Sequence, residues 1–368
     1  MRHLYLAATG QNRGKTTAAL GFLDGFLSRG LSTGFMKPVG QRTVIEDGVP
    51  ADEDAVLMKS VFDLPDGLSL MSPVHIPRGF TKAYIAGEVV EDLGAKVRAA
   101  YERVTDGRQI VLVEGTGHAG VGAVIGLSNA TVAAMLGTPA IIVSEGGVGR
   151  PIDEIVLNVA LFAAHGVQVA GAIVNKVQID AQPDIARTLE RGLARHGVPL
   201  LGVLPYRPIL SNPTLGMILE GVHGEPIHDG PDLDRVIDNV AVGAMEPGHM
   251  LQRIGPGTLV IVPGDREDAI LTLTDAHRAD DGRGVALGLV LTGGYRPSPS
   301  VLAEIRRADL FAALVPEDTY SVASEVHDLL VKTHPADLEK IETIKALVAE
   351  HLNIDRILEV AAEPARRG

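Results

Sequence analysis

The chain has 368 residues, 46% of them apolar, with 42 glycines and 22 prolines, enough to bury sizeable cores in two or three domains. A formal net charge of −13 argues against a nucleic acid or an anionic membrane as partner, because phosphate surfaces select clustered Lys and Arg. The absence of cysteine excludes disulfides, thiolate metal sites and thiol nucleophiles and makes a reducing cytoplasm the expected compartment, while "MRHLYLAATG" is too brief an apolar opening for a signal peptide.

Short β-branched runs alternate with longer helical patterns through the first two hundred residues, which predicts a doubly wound α/β domain with a mostly parallel sheet. Strands are expected over 4–9, 33–39, 109–115, 139–145, 168–177 and 199–205, with helices over 15–29, 52–62, 90–105, 151–165 and 183–196. Residues 115–144 carry no Asp, Glu, Lys or Arg, yet Gly, Ser, Asn and Pro interrupt them, so they read as loop, buried helix and buried strand rather than a membrane span. Prolines at 208, 213, 226 and 231 break the alternation. The expected organisation is therefore a doubly wound α/β domain over 1–206, a linker over 207–231 and a smaller α/β domain over 232–368. Strands of that second domain are expected over 258–263, 286–292 and 310–316, and residues 335–359 read as one or two amphipathic helices.

The segment "LYLAATGQNRGKTT" places a strand, a glycine turn and a helix start in the order that phosphate binding requires. In the usual loop a glycine stands six residues before the lysine; here that position is Thr9 and the glycine comes one later, giving TGxxxGKT. The chemistry needs inward amide hydrogens, a lysine at the β- and γ-oxygens and a hydroxyl for Mg²⁺. Gly10, Gln11, Asn12, Arg13, Gly14, Lys15, Thr16 and Thr17 supply them, so ATP with Mg²⁺ is the expected cofactor.

Further candidates lie at strand ends, where an open parallel sheet gathers its functional groups. Lys37 ends one strand and Glu114 another, and Asp54 opens a helix. Two carboxylates with Thr16 make a hard, oxygen-rich metal set, while Lys15 and Lys37 offset charge on a transferred phosphoryl group. Asp52, Glu53 and Asp54 equally suit the positive end of a helix. A carboxylate closing an apolar strand, as Glu114 does, is costly to bury without a use. His118, in "GTGHAGVG", either orients a substrate together with Thr116 or is a solvated surface residue. No HExxH or similar spacing points to a transition metal.

"TGQNRGKTT", "GFMKPVGQ", "DEDAVLM", "VEGTGHAGVG" and "AIVNKV" followed by "LGVLPY" resemble, in order, the dethiobiotin-synthetase-like P-loop family. The resemblance is closer still to the amino-terminal part of long-form phosphotransacetylases and covers about residues 1–206. It implies a seven-stranded P-loop fold that often forms homodimers, a small-molecule substrate or effector, and ATP-dependent activation of a carboxylate or carbamate. By position it implies Lys15 and Thr16 at the phosphates and Mg²⁺, Asp54 and Glu114 completing the metal site, Lys37 beside the reacting group and Asn175 on the purine. The loop is shorter than in dethiobiotin synthetases and the glycine loop after Glu114 differs, so their diamine substrate is not expected. "VPGDREDAIL" and "GLVLTGGYRPS" resemble the signatures of the DRTGG domain, a small α/β module associated with regulation; Asp265 is the expected helix cap and Gly293–Gly294 a close turn. Acetyl transfer is not expected of these residues, because the catalytic domain of phosphotransacetylases follows the DRTGG module. A regulatory nucleotide sensor is the alternative to a ligase-type enzyme.

Overall fold

A computed structural model describes residues 1–361 apart from 180, 229, 280–285 and 330. The chain divides into two compact units, 1–206 with 333–368 and 207–332.

The first unit is built on six strands whose residues are almost all buried, as a sheet covered on both faces demands. They are β1 (Arg2–Ala8), β2 (Thr33–Met36), β3 (Ile110–Glu114), β4 (Ala140–Glu145), β5 (Val169–Val177) and β6 (Leu200–Pro205), and their spatial order is β6-β5-β4-β1-β3-β2. Every pairing among them is parallel. The sheet thus has six strands among the described residues where the family resemblance implied seven. The helices that cross between them include α1 (Lys15–Leu27), α2 (Glu53–Phe62), α3 (Leu93–Thr105), α4 (Asn129–Leu136), α5 (Gly149–Ala164) and α6 (Ile185–Ala194). The uncharged run 115–144 resolves into a loop, the buried helix α4 and the buried strand β4. No helix among the described residues is long and apolar enough to cross a membrane.

Chain order and space part company at β1, which lies between β3 and β4, so the carboxyl ends of these three strands open onto one crevice. Register sets the depth of each group there. Leu6 pairs with Glu114 and Ala8 with Val143, so the loop after β1 rises just beyond the Glu114 carboxylate.

Among its described residues the second unit has five strands, β7 (Glu225–Pro226), β8 (Asn239–Val242), β9 (Thr258–Pro263), β10 (Gly288–Thr292) and β11 (Phe311–Leu314), in the order β7-β11-β10-β9-β8. All pair in parallel except the edge strand β7. Its helices include α7 (Glu267–Ala279), α8 (Pro299–Arg307) and α9 (Thr319–Asp328). Because α7 begins at Glu267, Arg266 and not Asp265 occupies the capping position. Gly293 and Gly294 both adopt positive φ, 83° and 70°, a turn that glycine makes without strain.

Two boundaries differ from the sequence expectation. Residues 207–231 belong to the second unit rather than to a linker: Leu215, Ile218 and Val222 are buried in one cluster with Leu259 and Ile261, and Pro208 starts a short helix instead of breaking structure. Residues 335–359 belong to the first unit, as α10 (Leu338–His351) and α11 (Ile354–Ala361). Gly21 and Gly25 of α1 lie directly beneath Val348 and Ile354, and Gly202 of β6 beneath Leu352, so the absence of three side chains makes room for these helices. The second unit is therefore bracketed in sequence by two segments of the first.

Candidate active site at the strand ends

The loop after β1 turns tightly through Asn12 and Gly14, at φ 57° and 95°. It is held from behind by β5: the Asn175 side-chain amide donates to the Arg13 carbonyl at 3.2 Å, and Lys176 Nζ to the Asn12 carbonyl at 3.0 Å. A Cβ on Gly14 would lie 1.9 Å from Asn175 Nδ2, so only glycine fits there. With these carbonyls turned toward β5, the first amides of α1, which have no intrahelical acceptor, cap the crevice with positive potential.

Lys15 is 8% exposed and its Nζ reaches back to the Gly10 carbonyl at 3.5 Å. Burial, reinforced by the neighbouring Lys37 charge, brings its pKa down to about 8. The Thr16 hydroxyl stands 3.1 Å from Asp54 Oδ1 and 3.3 Å from Glu114 Oε1, and its one proton serves one of them at a time. Lys37 Nζ donates to Asp54 Oδ2 at 2.5 Å and to Glu114 Oε1 at 2.9 Å. Burial opposes the charge on Lys37, but the Asp54 and Glu114 carboxylates outweigh it and hold the ammonium well above its ordinary pKa. Burial likewise works against the Asp54 carboxylate, and Lys37 overcomes it, so Asp54 titrates below the usual range. Glu114, fully buried, is pushed up to about 7 by burial, which Lys37 only partly offsets.

The acidic run before α2 divides its labour. Asp52 caps the helix, accepting from the Asp54 amide at 3.1 Å; Glu53 lies 3.6 Å from Arg42; Asp54 alone reaches the lysine and threonine. Glu114 Oε2 is buried with no hydrogen-bond partner. An unspent carboxylate oxygen beside a hydroxyl and a second carboxylate suits a hard cation liganded by oxygen. Among the described residues no three His, Asp or Glu side chains gather for a metal, so a cation here would take its remaining oxygens from a phosphate.

The family described as AAA domain matches residues 2–214, more than half of the chain. This chain belongs to that family. A DRTGG domain match follows over residues 217–329. The phosphate acetyltransferase of Nitratidesulfovibrio vulgaris is 27% identical, over 95% of this chain and 50% of its own length. That of Pseudomonas putida is 28% identical, over 96% and 51%. The chain spans about half the length of the curated relatives it matches. Among solved structures, the septum site-determining protein MinD of Pyrococcus horikoshii with Mg-ADP is similar at 16% identity, over 57% of this chain and 83% of its own, with a TM-score of 0.38. The CBS and DRTGG domains of the Clostridium perfringens pyrophosphatase, complexed with diadenosine tetraphosphate, align at 16% identity over 49% and 86%, with a TM-score of 0.26.

Within the AAA domain, two asparagines outside every sequence motif shape the loop after Glu114. The Asn129 carboxamide accepts from Tyr5 Oη at 2.8 Å and from the Thr116 amide at 3.1 Å, and donates to the carbonyls of Thr116 and His118 at 2.7 and 2.6 Å. Asn158, a lone polar residue in the apolar run of α5, accepts from the Ala119 amide at 2.7 Å. Its polarity in that run was the available signal; Asn129, beside the helix-capping Ser128, offered none. Thr116 spends its hydroxyl on the Val39 carbonyl at 2.7 Å, and His118 Nδ1 accepts from the Gly120 amide at 3.2 Å. Both therefore act first on loop shape. Asn175, expected at a purine, has its amide on the Arg13 carbonyl of the loop after β1. Arg13 forms an ion pair with Glu145, which Lys176 also meets at 3.2 Å.

Proposed function

We propose that this protein binds ATP with Mg²⁺ in the loop over residues 10–17 and activates a substrate carboxylate or carbamate by phosphoryl transfer. The observation that carries the reading is the convergence of Thr16, Lys37, Asp54 and Glu114 within hydrogen-bonding distance, at the mouth of the phosphate loop. Lys15 would neutralise the β- and γ-oxygens, and Thr16, Asp54 and Glu114 would hold the cation. Mg²⁺, when bound, would supply charge neutralisation at the phosphate oxygens. Lys37 would orient the attacking carboxylate oxygen. That oxygen bonds to the γ-phosphorus as the bond to the β,γ-bridging oxygen breaks, leaving ADP and an acyl or carbamoyl phosphate. Loop 115–122, pinned by Asn129 and Asn158, would form the substrate wall.

Phosphate release from ATP should depend on an added carboxylate or amine-plus-bicarbonate pool, and should vanish in Lys15→Ala and Glu114→Gln. A protein that binds ATP and never hydrolyses it with any such pool would overturn the ligase reading.

A second reading is supported by the bracketing of the DRTGG unit between two segments of the nucleotide-binding unit. ATP occupancy in the first unit would then be sensed and relayed, to a dimer partner or to an enzyme of acyl-phosphate chemistry. Reciprocal coupling is its test: a ligand of the second unit must change ATP affinity by the same factor that ATP changes its own.

A further inference from the structure

We propose that Lys37 is the resident counter-cation of the metal-binding carboxylates, denying Asp54 and Glu114 to a divalent cation until a polyphosphate in the adjacent loop draws the ammonium away. The inference rests on the nucleotide reading above and adds an order to it: nucleotide and metal load together, and metal alone is refused.

Lys37 bridges the two carboxylates and holds Glu114 Oε1, one of the two oxygens that face Thr16; the other, Asp54 Oδ1, meets Thr16 alone. Lys37 Nζ meets Asp54 Oδ2 and Glu114 Oε1 at 2.5 and 2.9 Å, while Thr16 Oγ1 meets the same two side chains at 3.1 and 3.3 Å. An Mg²⁺ ion binds oxygen at roughly 2.0–2.1 Å in a strict octahedron, so it cannot take Asp54 Oδ2 or Glu114 Oε1 with the ammonium in place. Charge points the same way. With both carboxylates ionised, Asp54 and Glu114 bring two negative charges against the two positive ones of Lys37 and Lys15, and a protonated Glu114 leaves less negative charge still; all four side chains lie at or beneath the surface of one crevice. A divalent ion entering alone would leave an excess of positive charge where water is scarce. A triphosphate entering with it supplies the balancing negative charge and a new partner for the lysine.

The surrounding structure allows this exchange by one side chain. The Lys37 amide is tied to the Met71 carbonyl at 2.6 Å, and Pro38 restricts the backbone that precedes it to an extended form. Glu114 is fixed in β3 between β1 and β2 and is fully buried. The four-carbon stem of Lys37 can swing without any change in the backbone. The oxygens released when it does are Asp54 Oδ2 and Glu114 Oε1.

The test is Mn²⁺ binding to the full chain, followed by electron paramagnetic resonance, with and without the β,γ-imido analogue of ATP. Wild type should bind Mn²⁺ weakly alone and tightly with the analogue. Lys37→Met, which keeps the stem and removes the charge, should bind Mn²⁺ alone at least about tenfold more tightly than wild type. Lys37→Arg should exclude it as wild type does. Equal Mn²⁺ affinity of wild type with and without the analogue would overturn the proposal, and needs no variant. So would a folded Lys37→Met protein that binds Mn²⁺ alone no better than wild type. If wild type fails to bind the analogue with Mn²⁺ at all, the nucleotide reading falls, whereas analogue binding with unchanged metal affinity removes only the role of Lys37.

Discussion

Gly21 of α1 faces Val348 of α10 so closely that a Cβ on the glycine would lie 2.3 Å from the Val348 Cβ. One turn on, Gly25 meets Ile354 in the same way, with 2.9 Å between a Cβ and Ile354 Cγ1. Alanine improves helix propensity over glycine by about 1 kcal/mol, but overpacking a tight contact costs about 1–3 kcal/mol. Gly21→Ala should therefore lower the melting temperature in thermal denaturation, and Gly21→Val should lower it further. Gly149→Ala, where a Cβ meets nothing within 4 Å, serves as the control and should not. Equal melting temperatures for all three would mean that residues 338–361 do not close over α1.

That contact also marks where the sequence stopped being informative. Strands such as 110–114 and 258–263 were legible because runs of Val, Ile and Leu buried on both faces have few alternatives. The amphipathic character of 335–359 was equally legible, but a buried face announces that it has a partner and not which one. Proline misled at 207–231: Pro208 opens a short helix, and Thr214 caps the next by accepting from the Met217 amide at 3.2 Å. The converging residues Thr16, Lys37, Asp54 and Glu114 were all picked out by type and spacing, because strand ends and a glycine turn leave local marks. Asn129 and Asn158 act by three-dimensional hydrogen bonding that no local pattern encodes.

Gly14 combines a φ of 95° with the close approach of Asn175. Gly14→Ala should abolish measurable ATP binding by calorimetry while the chain remains folded, because both the turn and its support are lost. Asn175→Ala removes one hydrogen bond to the Arg13 carbonyl, a loss of about 1 kcal/mol or roughly fivefold in affinity. If Asn175→Ala binds ATP as wild type does, Asn175 does not hold the loop in shape.

Asn129 is fully engaged, its one side chain giving the loop after Glu114 both an acceptor and two donors. Asn129→Ala leaves the Tyr5 hydroxyl and two loop carbonyls without partners in a buried setting. The expected cost is about 2–4 kcal/mol in denaturant unfolding, with faster amide hydrogen exchange confined to residues 115–122. Asn129→Asp restores the acceptor alone and should recover only the Tyr5 and Thr116 amide bonds. Uniform exchange across the chain in Asn129→Ala would count against a local role.

Glu114 gives the site a pH dependence of defined sign. Burial raises its pKa from 4.5 to about 7, with Lys37 and Lys15 pulling the other way and Asp54 adding to the rise. The folded protein then holds a proton in this window that the unfolded chain releases, so the contribution of Glu114 to stability is complete below pH 4.5 and lost as pH rises through about 7. Asp54, held low by Lys37, stays charged throughout, and Lys15, near 8, changes only above the window. Glu114→Gln carries a neutral side chain at every pH. The melting temperature of wild type relative to Glu114→Gln should therefore fall between pH 5 and pH 7.5, since each added fraction of ionised Glu114 costs desolvation that the two lysines do not fully return. A difference between the two proteins that stays constant over that range would show Glu114 to be ionised already at pH 5, with Lys37 as a complete rather than a partial counter-charge.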